Sequence, residues 1–176
     1  YAHGNPSGID MQAAIHDEPI WFEKDRVIEE IDIRTSIHLV VADSGRIGDT
    51  RTAVSSIKEK LEKYPLETNR SIEKLGNLTF HSKEALAKGD VAELGILLTE
   101  AHTQLKELGV SDDGLDQLVQ EALKLGALGA KLTGGGRGGC IFALASSSKQ
   151  AEEIAVGLKG RANAEQTWHF TIYPTI

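Results

Sequence analysis

Two short segments of this 176-residue chain carry residue types whose spacing could do chemistry. The first is His3-Gly4-Asn5-Pro6-Ser7-Gly8-Ile9-Asp10. Pro6 fixes the backbone, and the two glycines let a ligand approach the main chain closely. The residues from Ile9 to Ile15 read as a short helix with Ser7 as its cap. Asp10 then sits near the helix start, where a carboxylate could take a proton from a substrate hydroxyl or orient that hydroxyl for attack. It could equally serve only as a favourable charge near a helix N-terminus.

The second segment is Gly129-Ala130-Lys131-Leu132-Thr133-Gly134-Gly135-Gly136-Arg137-Gly138-Gly139-Cys140. Five glycines in the six residues 134–139 are many for a plain hairpin. Successive backbone N–H groups without side chains can form a nest for an anion. Arg137 offers a charge to such a ligand and Thr133 a hydroxyl, while a tightly bent hairpin is the structural alternative. The segment is not a Walker A loop, which needs Gly-Lys-Ser/Thr and then a helix, whereas an apolar strand follows here.

Other chemistry finds little support. The six histidines (3, 16, 38, 81, 102 and 169) include no i, i+4 pair and have no cysteine partner at ligand spacing, so no structural zinc site is expected. No Gly-x-Ser-x-Gly elbow occurs. The single cysteine, Cys140, excludes an intrachain disulfide and reads as a small buried hydrophobe. A net charge of -7 with no Lys/Arg cluster argues against nucleic acid. The lone cysteine fits a reducing cytoplasm, the compartment expected, and no apolar run reaches the roughly 20 residues of a membrane helix, so no membrane contact is expected.

The elements that must hold the two segments follow from periodicity. Pro19 to Phe22 and Val27 to Ile33 read as a hairpin. Ile37 to Ala42 has the length and β-branched content of a strand. Val54, Ile57, Leu61 and Tyr64 mark a helix over 49–64. Three more helical stripes follow: Ile72 to Leu86 closed by Gly89, Val91 to Leu108 closed by Gly109, and Leu115 to Leu125 opened by Ser111 and closed by Gly126. Strands are expected at Ala130 to Thr133, Cys140 to Ala145 and Gln166 to Ile172, with a helix capped within Ser146 to Ser148 before the last. Apart from the inserted helices the order is β-α-β-β-α-β, which predicts an α+β, ferredoxin-like antiparallel sheet with helices on one face. Trp21 and Trp168 read as packing residues in strands.

The two segments together resemble the GHMP kinase superfamily and, within it, the mevalonate kinases. HGNPSGID is similar to the stretch that carries the catalytic aspartate. GAKLTGGGRGGC is similar to the third, C-terminal glycine motif. Asp43 to Val54 (DSGRIGDTRTAV) resembles the strand–loop–helix that brings a Thr-Arg/Lys pair to the substrate. The resemblance extends over essentially the whole chain, more weakly across 65–128.

The resemblance implies an ATP-dependent kinase that phosphorylates the primary hydroxyl of mevalonate, with Mg²⁺. Asp10 would be catalytic. Ser7, Gly8, Thr50 and Arg51 would contact substrate. Thr133, Gly134, Gly135, Gly136, Arg137 and Gly138 would support phosphate or substrate. It divides the chain into residues 1–34, the tail of an N-terminal kinase domain, and residues 35–176, a C-terminal domain. The lysine segment, the Gly-Leu-Gly-Ser-Ser-type loop and the magnesium-binding glutamate of the family have no counterpart here, and the chain opens at Tyr1 rather than Met. It is therefore expected to be a part of the enzyme, inactive alone. An apolar helix stripe could serve a homodimer of the full enzyme. The alternatives are another small-molecule kinase of the superfamily, such as a phosphomevalonate kinase, or a non-catalytic ferredoxin-like module that binds an anion.

Overall fold

The computed structural model describes residues 8–24 and 26–175. In chain order its elements are α1 (Ile9–Ile15), β1 (Ile20–Trp21), β2 (Glu29–Glu30), β3 (Ile37–Asp43), α2 (Thr50–Lys63), α3 (Pro65–Lys88) and α4 (Val91–Glu107). They continue with α5 (Asp113–Lys124), β4 (Gly129–Thr133), β5 (Cys140–Ala145), α6 (Ser148–Arg161) and β6 (Gln166–Ile172).

Strand alternation builds the main sheet. Val40 and Ala42 of β3, Ala130 and Leu132 of β4, and Ile141 and Ala143 of β5 are buried on one face. Against them pack Leu115 and Leu118 of α5 with Ile154 and Leu158 of α6. The sheet order is β4-β5-β3-β6, with every neighbouring pair antiparallel. This is the split βαβ arrangement expected from the element order.

The expectation of helices on one face only needs correction. A second buried cluster joins Leu78 and Ala85 of α3 and Leu94, Leu97 and Leu98 of α4 to Ile37 and Leu144 on the opposite face of the sheet. That face carries Leu39 and Phe142 as well, so apolar area there also demands cover. The approach of α4 is close because two glycines meet. A Cβ on Gly95 would stand 2.6 Å from the Leu128 carbonyl carbon, and one on Gly129 would stand 2.6 Å from Gly95 Cα. From this position α4 serves the free edge of β4. The Ala130 amide donates to Thr99 Oγ1 (3.3 Å) and the Leu132 amide to His102 Nδ1 (3.3 Å). An edge strand's exposed donors are thereby satisfied within the molecule.

Several boundaries differ from expectation. α3 starts at Pro65, well before Ile72, because proline is tolerated where a helix's first N–H has no partner anyway. α5 is capped by Asp112, which accepts from the amides of Gly114 and Leu115 (both 3.0 Å), and not by Ser111, whose hydroxyl donates to Asp116 instead (2.6 Å). α1 has Gly8 at its N-cap, at φ 86°, with no side-chain cap, while Ser7 lies outside the described residues. The stops at Gly89, Gly109 and Gly126 all adopt positive φ, as their sequence positions predict. The N-terminal hairpin shortens to a two-residue ladder, Ile20↔Glu30 and Trp21↔Glu29. Trp21 anchors it on α3, edge-on to Phe80 at 6.5 Å and under Lys83 at 4.7 Å, and Lys83 also pairs with Glu29 (2.6 Å).

Candidate functional site

The glycine loop between β4 and β5 needs its glycines for two separate reasons. Gly134, Gly136, Gly138 and Gly139 lie at φ between 77° and 111°, and Arg137 at 52°, a run of left-handed backbone that side chains resist. At Gly135 the constraint is space, since a Cβ would fall onto Thr50, 2.7 Å from its Cβ. The loop therefore lies flat on the N-terminus of α2.

Backbone hydrogen bonds then lock it. The Asp49 amide donates to the Gly136 carbonyl (3.2 Å), Ser44 to Gly139 (2.9 Å), Gly139 to Arg46 (2.7 Å), and Arg137 to Val110 (2.9 Å). Three segments distant in sequence, 44–50, 109–110 and 134–139, become one unit. Arg46 extends it through a 2.5 Å ion pair to Asp112 at the start of α5.

Arg137 does not point outward as a contact for an anion. Its Nε donates to the Gly109 carbonyl (3.0 Å) and its Nη2 to Ser56 Oγ (2.7 Å). The guanidinium is engaged inward, fastening the loop to α2 and to the end of α4. The amides of Arg137 and Gly139 are likewise committed. The open positions are Gly134 and Gly139, where a Cβ would meet nothing within 4 Å. A ligand can approach the main chain there.

Of the other expected site residues, Thr50 is the first residue of α2 and sits over Gly135, Arg51 stands exposed beside it, and Thr133 ends β4 opposite Cys140. Asp10 lies exposed on α1, which buries none of its residues, and its carboxylate has no hydrogen bond or ion pair among the described residues. The structure thus unites Thr50 with the loop but leaves Asp10 outside that hydrogen-bonded unit.

Residues near the loop escaped the sequence reading. Asp49 caps α2 by accepting from Thr52 N (2.9 Å) and Thr52 Oγ1 (2.5 Å), and these bonds, helped by Arg137 and Arg51, hold its carboxyl below the usual range. Asp-x-x-Thr before a helix was the available signal. Ser44 Oγ is the buried side-chain polar atom without a hydrogen-bond partner among the described residues. Such an atom costs about 1–3 kcal/mol, and no local pattern reveals it. Lys131, two residues before the loop's threonine, donates to the Leu132 carbonyl (2.7 Å) with its ammonium 5.1 Å from the Phe142 ring centre, and burial lowers its pKa to about 8. Cys140 is only half-buried, a correction to its reading as core; burial, then Asp43, raises its thiol pKa.

A Ser-His-Asp group does assemble, but in the wrong order for nucleophilic catalysis. Ser111 and His102 both contact Asp116, at 2.6 and 3.1 Å, and Lys106 pairs with its other oxygen at 2.6 Å. His102 Nδ1 accepts from the Leu132 amide, so its proton sits on Nε2, facing Asp116. The serine never meets the imidazole that would have to activate it.

The glycine loop lines neither of two open grooves. One, about 730 Å³, lies among α2, α3 and α4 and includes Lys60, Thr68, Arg70 and Gln104. The other, about 450 Å³, lies between α6 and β6. Among the described residues no three His, Cys, Asp or Glu side chains converge to hold a metal ion, and no helix is long and apolar enough to cross a membrane.

Comparison with known proteins agrees with this architecture. Residues 82–164 match the family model described as GHMP kinases, C terminal. The chain is 35% identical over 149 residues to the mevalonate kinase of Aeropyrum pernix, covering 81% of this chain and 44% of that protein. It is 33% identical over 162 residues to that of Pyrococcus furiosus, covering 89% and 48%. Among solved structures, L. major mevalonate kinase in complex with R-mevalonate superposes with a TM-score of 0.91 at 34% identity, over 98% of this chain and 54% of that one. Mevalonate kinase from Staphylococcus aureus MRSA252 gives 0.66 at 30% identity, over 96% and 53%. The chain spans about half the length of the curated relatives it matches.

Proposed function

We propose that this chain, which carries the C-terminal domain of the GHMP kinases, is the C-terminal part of an ATP-dependent kinase that phosphorylates the primary hydroxyl of mevalonate. The observation that carries the reading is the superposition of 98% of the chain on a mevalonate kinase in complex with R-mevalonate. The flat glycine loop, pinned against Thr50, supports it from within the molecule. Phosphoryl transfer asks a protein for in-line positioning and neutralisation of charge, and little covalent chemistry. ATP supplies the transferred group when bound, with Mg²⁺ to offset its charge, and no residue described here is assigned to that cation.

In this reading residues 1–34 are the tail of the N-terminal domain and residues 35–176 the C-terminal domain. Asp10 accepts or orients the hydroxyl proton. Thr50 and Arg51 contact the substrate, since a guanidinium suits a carboxylate, and so do Gly8 and Ser7, the latter outside the described residues. The open rim at Gly134 supports phosphate or substrate through the main chain. Arg137 holds the loop's shape from behind. The protein works in the cytoplasm as a soluble enzyme, and the full enzyme is a homodimer.

Mevalonate-dependent ADP release by the full-length protein tests the proposal. Asp10→Asn should abolish turnover and leave ATP affinity nearly unchanged. The 176-residue chain alone should release no ADP above an Asp10→Ala control. Preference for phosphomevalonate, or near-normal turnover by Asp10→Asn, would overturn the substrate or the residue assignment respectively.

A further inference from the structure

The groove of about 730 Å³ among α2, α3 and α4 has the size of a small-molecule site and holds an unpaired polar group at its floor. Gln104 of α4 lines it and is only 5% exposed, yet its carboxamide has no hydrogen bond among the described residues. Buried polar side chains are nearly always paired, whether with protein, water or a ligand. Its neighbour Thr68, equally buried, shows the contrast, since that hydroxyl donates to the Lys60 carbonyl (3.1 Å).

The rim brings charge to the same place. The ion pair between Lys74 of α3 and Glu100 of α4 (2.6 Å) sets the register of the two helices. Gln104, one turn on from Glu100, then stands level with Arg70 and Ser71, one turn before Lys74. Arg70 is exposed and makes no ion pair among the described residues. Lys60 reaches in from α2 and donates to the Glu107 carbonyl. The carboxylates of Glu67 and Glu107 also line the groove.

This chemistry narrows the occupant. A carboxamide presents a donor and an acceptor side by side, and adenine offers the matching edge through its N6 amino group and N7. A free guanidinium suits a phosphate, again through two parallel bonds. Carboxylates accept from ribose hydroxyls. A docked peptide helix fits poorly, because that mode needs apolar anchors. Apolar lining here is confined to Tyr64 and Leu108, the latter 3% exposed.

We infer that this groove is a binding site for an adenine nucleotide, with Gln104 on the base edge and Arg70 on the phosphate. No groove residue belongs to the site proposed for phosphoryl transfer, so the inference does not rest on the kinase reading.

The test is calorimetric titration of AMP into the 176-residue chain, which contains every groove residue, and into the full-length protein. The chain should bind one AMP. Arg70→Ala, and Gln104→Met, which keeps the side chain's length and removes both polar groups, should each weaken that binding about tenfold or more. Ribose 5-phosphate should lose affinity in Arg70→Ala and not in Gln104→Met. GMP should bind the wild type more weakly, because guanine carries an acceptor where adenine has its amino donor. Circular dichroism would show each protein folded, and the loss between wild type and variant in the full-length protein repeats the test without depending on the shorter chain. Absence of AMP binding, equal binding of AMP and GMP, or an affinity unmoved by both substitutions would overturn the inference.

Discussion

Asp116 and its neighbours illustrate how much one residue's surroundings decide. Burial works against its charge, yet hydrogen bonds from Lys106 and Ser111 hold its carboxyl below the usual range. Burial pushes the His102 imidazole below its ordinary pKa, against the opposing pull of Asp116, and Lys131 and Lys106 add to the lowering. The folded chain therefore resists a proton that the unfolded chain accepts at about pH 6.5. Stability contributed by neutral His102 is present above that pH and falls as the pH drops below it, toward the lower folded pKa. Asp116 adds its own loss only below about pH 4, its unfolded pKa. Thermal melts between pH 7.5 and 5.5 should show a decline for the wild type that is smaller for His102→Gln. An identical decline in both would remove His102 as its source. Sequence reading passed over His102 because a lone histidine on an apolar helix carries no local mark of its partners.

The element scale is governed by α4 and β4. Gly95 and Gly129 let the helix approach near enough for Thr99 and His102 to reach the amides of the edge strand. Gly95→Ala would press a methyl against the Leu128 carbonyl, which is backbone and cannot rotate away. Such overpacking costs about 1–3 kcal/mol, and here it should also pull both capping side chains out of reach. Urea unfolding should show a lower midpoint, and hydrogen exchange should show faster exchange of the Ala130 and Leu132 amides in particular. An unchanged midpoint would mean that α4 can shift outward without penalty. The stops of α3, α4 and α5 were legible because a glycine after an apolar stripe acts locally. The start of α5 was not, since Ser111 and Asp112 are both good caps and the choice fell to Asp116, which recruits the serine.

Across the whole molecule the N-terminal helix and the helices of the core differ in how they are held. α5 buries Leu115, Leu118, Val119 and Ala122 in the central cluster, whereas α1 buries nothing. The segment between α1 and β3 is tied down by Trp21 and Glu29, both on Lys83 of α3, and by Ile33, whose carbonyl accepts from the Thr175 amide at 3.0 Å. Local opening follows such differences in buried contact. Amides of α1 should therefore exchange orders of magnitude faster than those of α5, with β1 and β2 between. Equal protection of α1 and α5 in the isolated chain would show that α1 has a packing surface of its own.

Element order, the helix stops and the anomalous glycine run can be read from the sequence, because periodicity, φ preference and composition act over a few residues. Those patterns also sufficed for the ferredoxin-like order of the sheet. Tertiary structure alone decided that Thr50 rests on Gly135, that Arg137 turns inward to Ser56 and Gly109, and that a second helical layer covers the far face of the sheet. Each of these joins residues tens of positions apart, and no local pattern encodes which backbone will stand within a methyl group's width of which other.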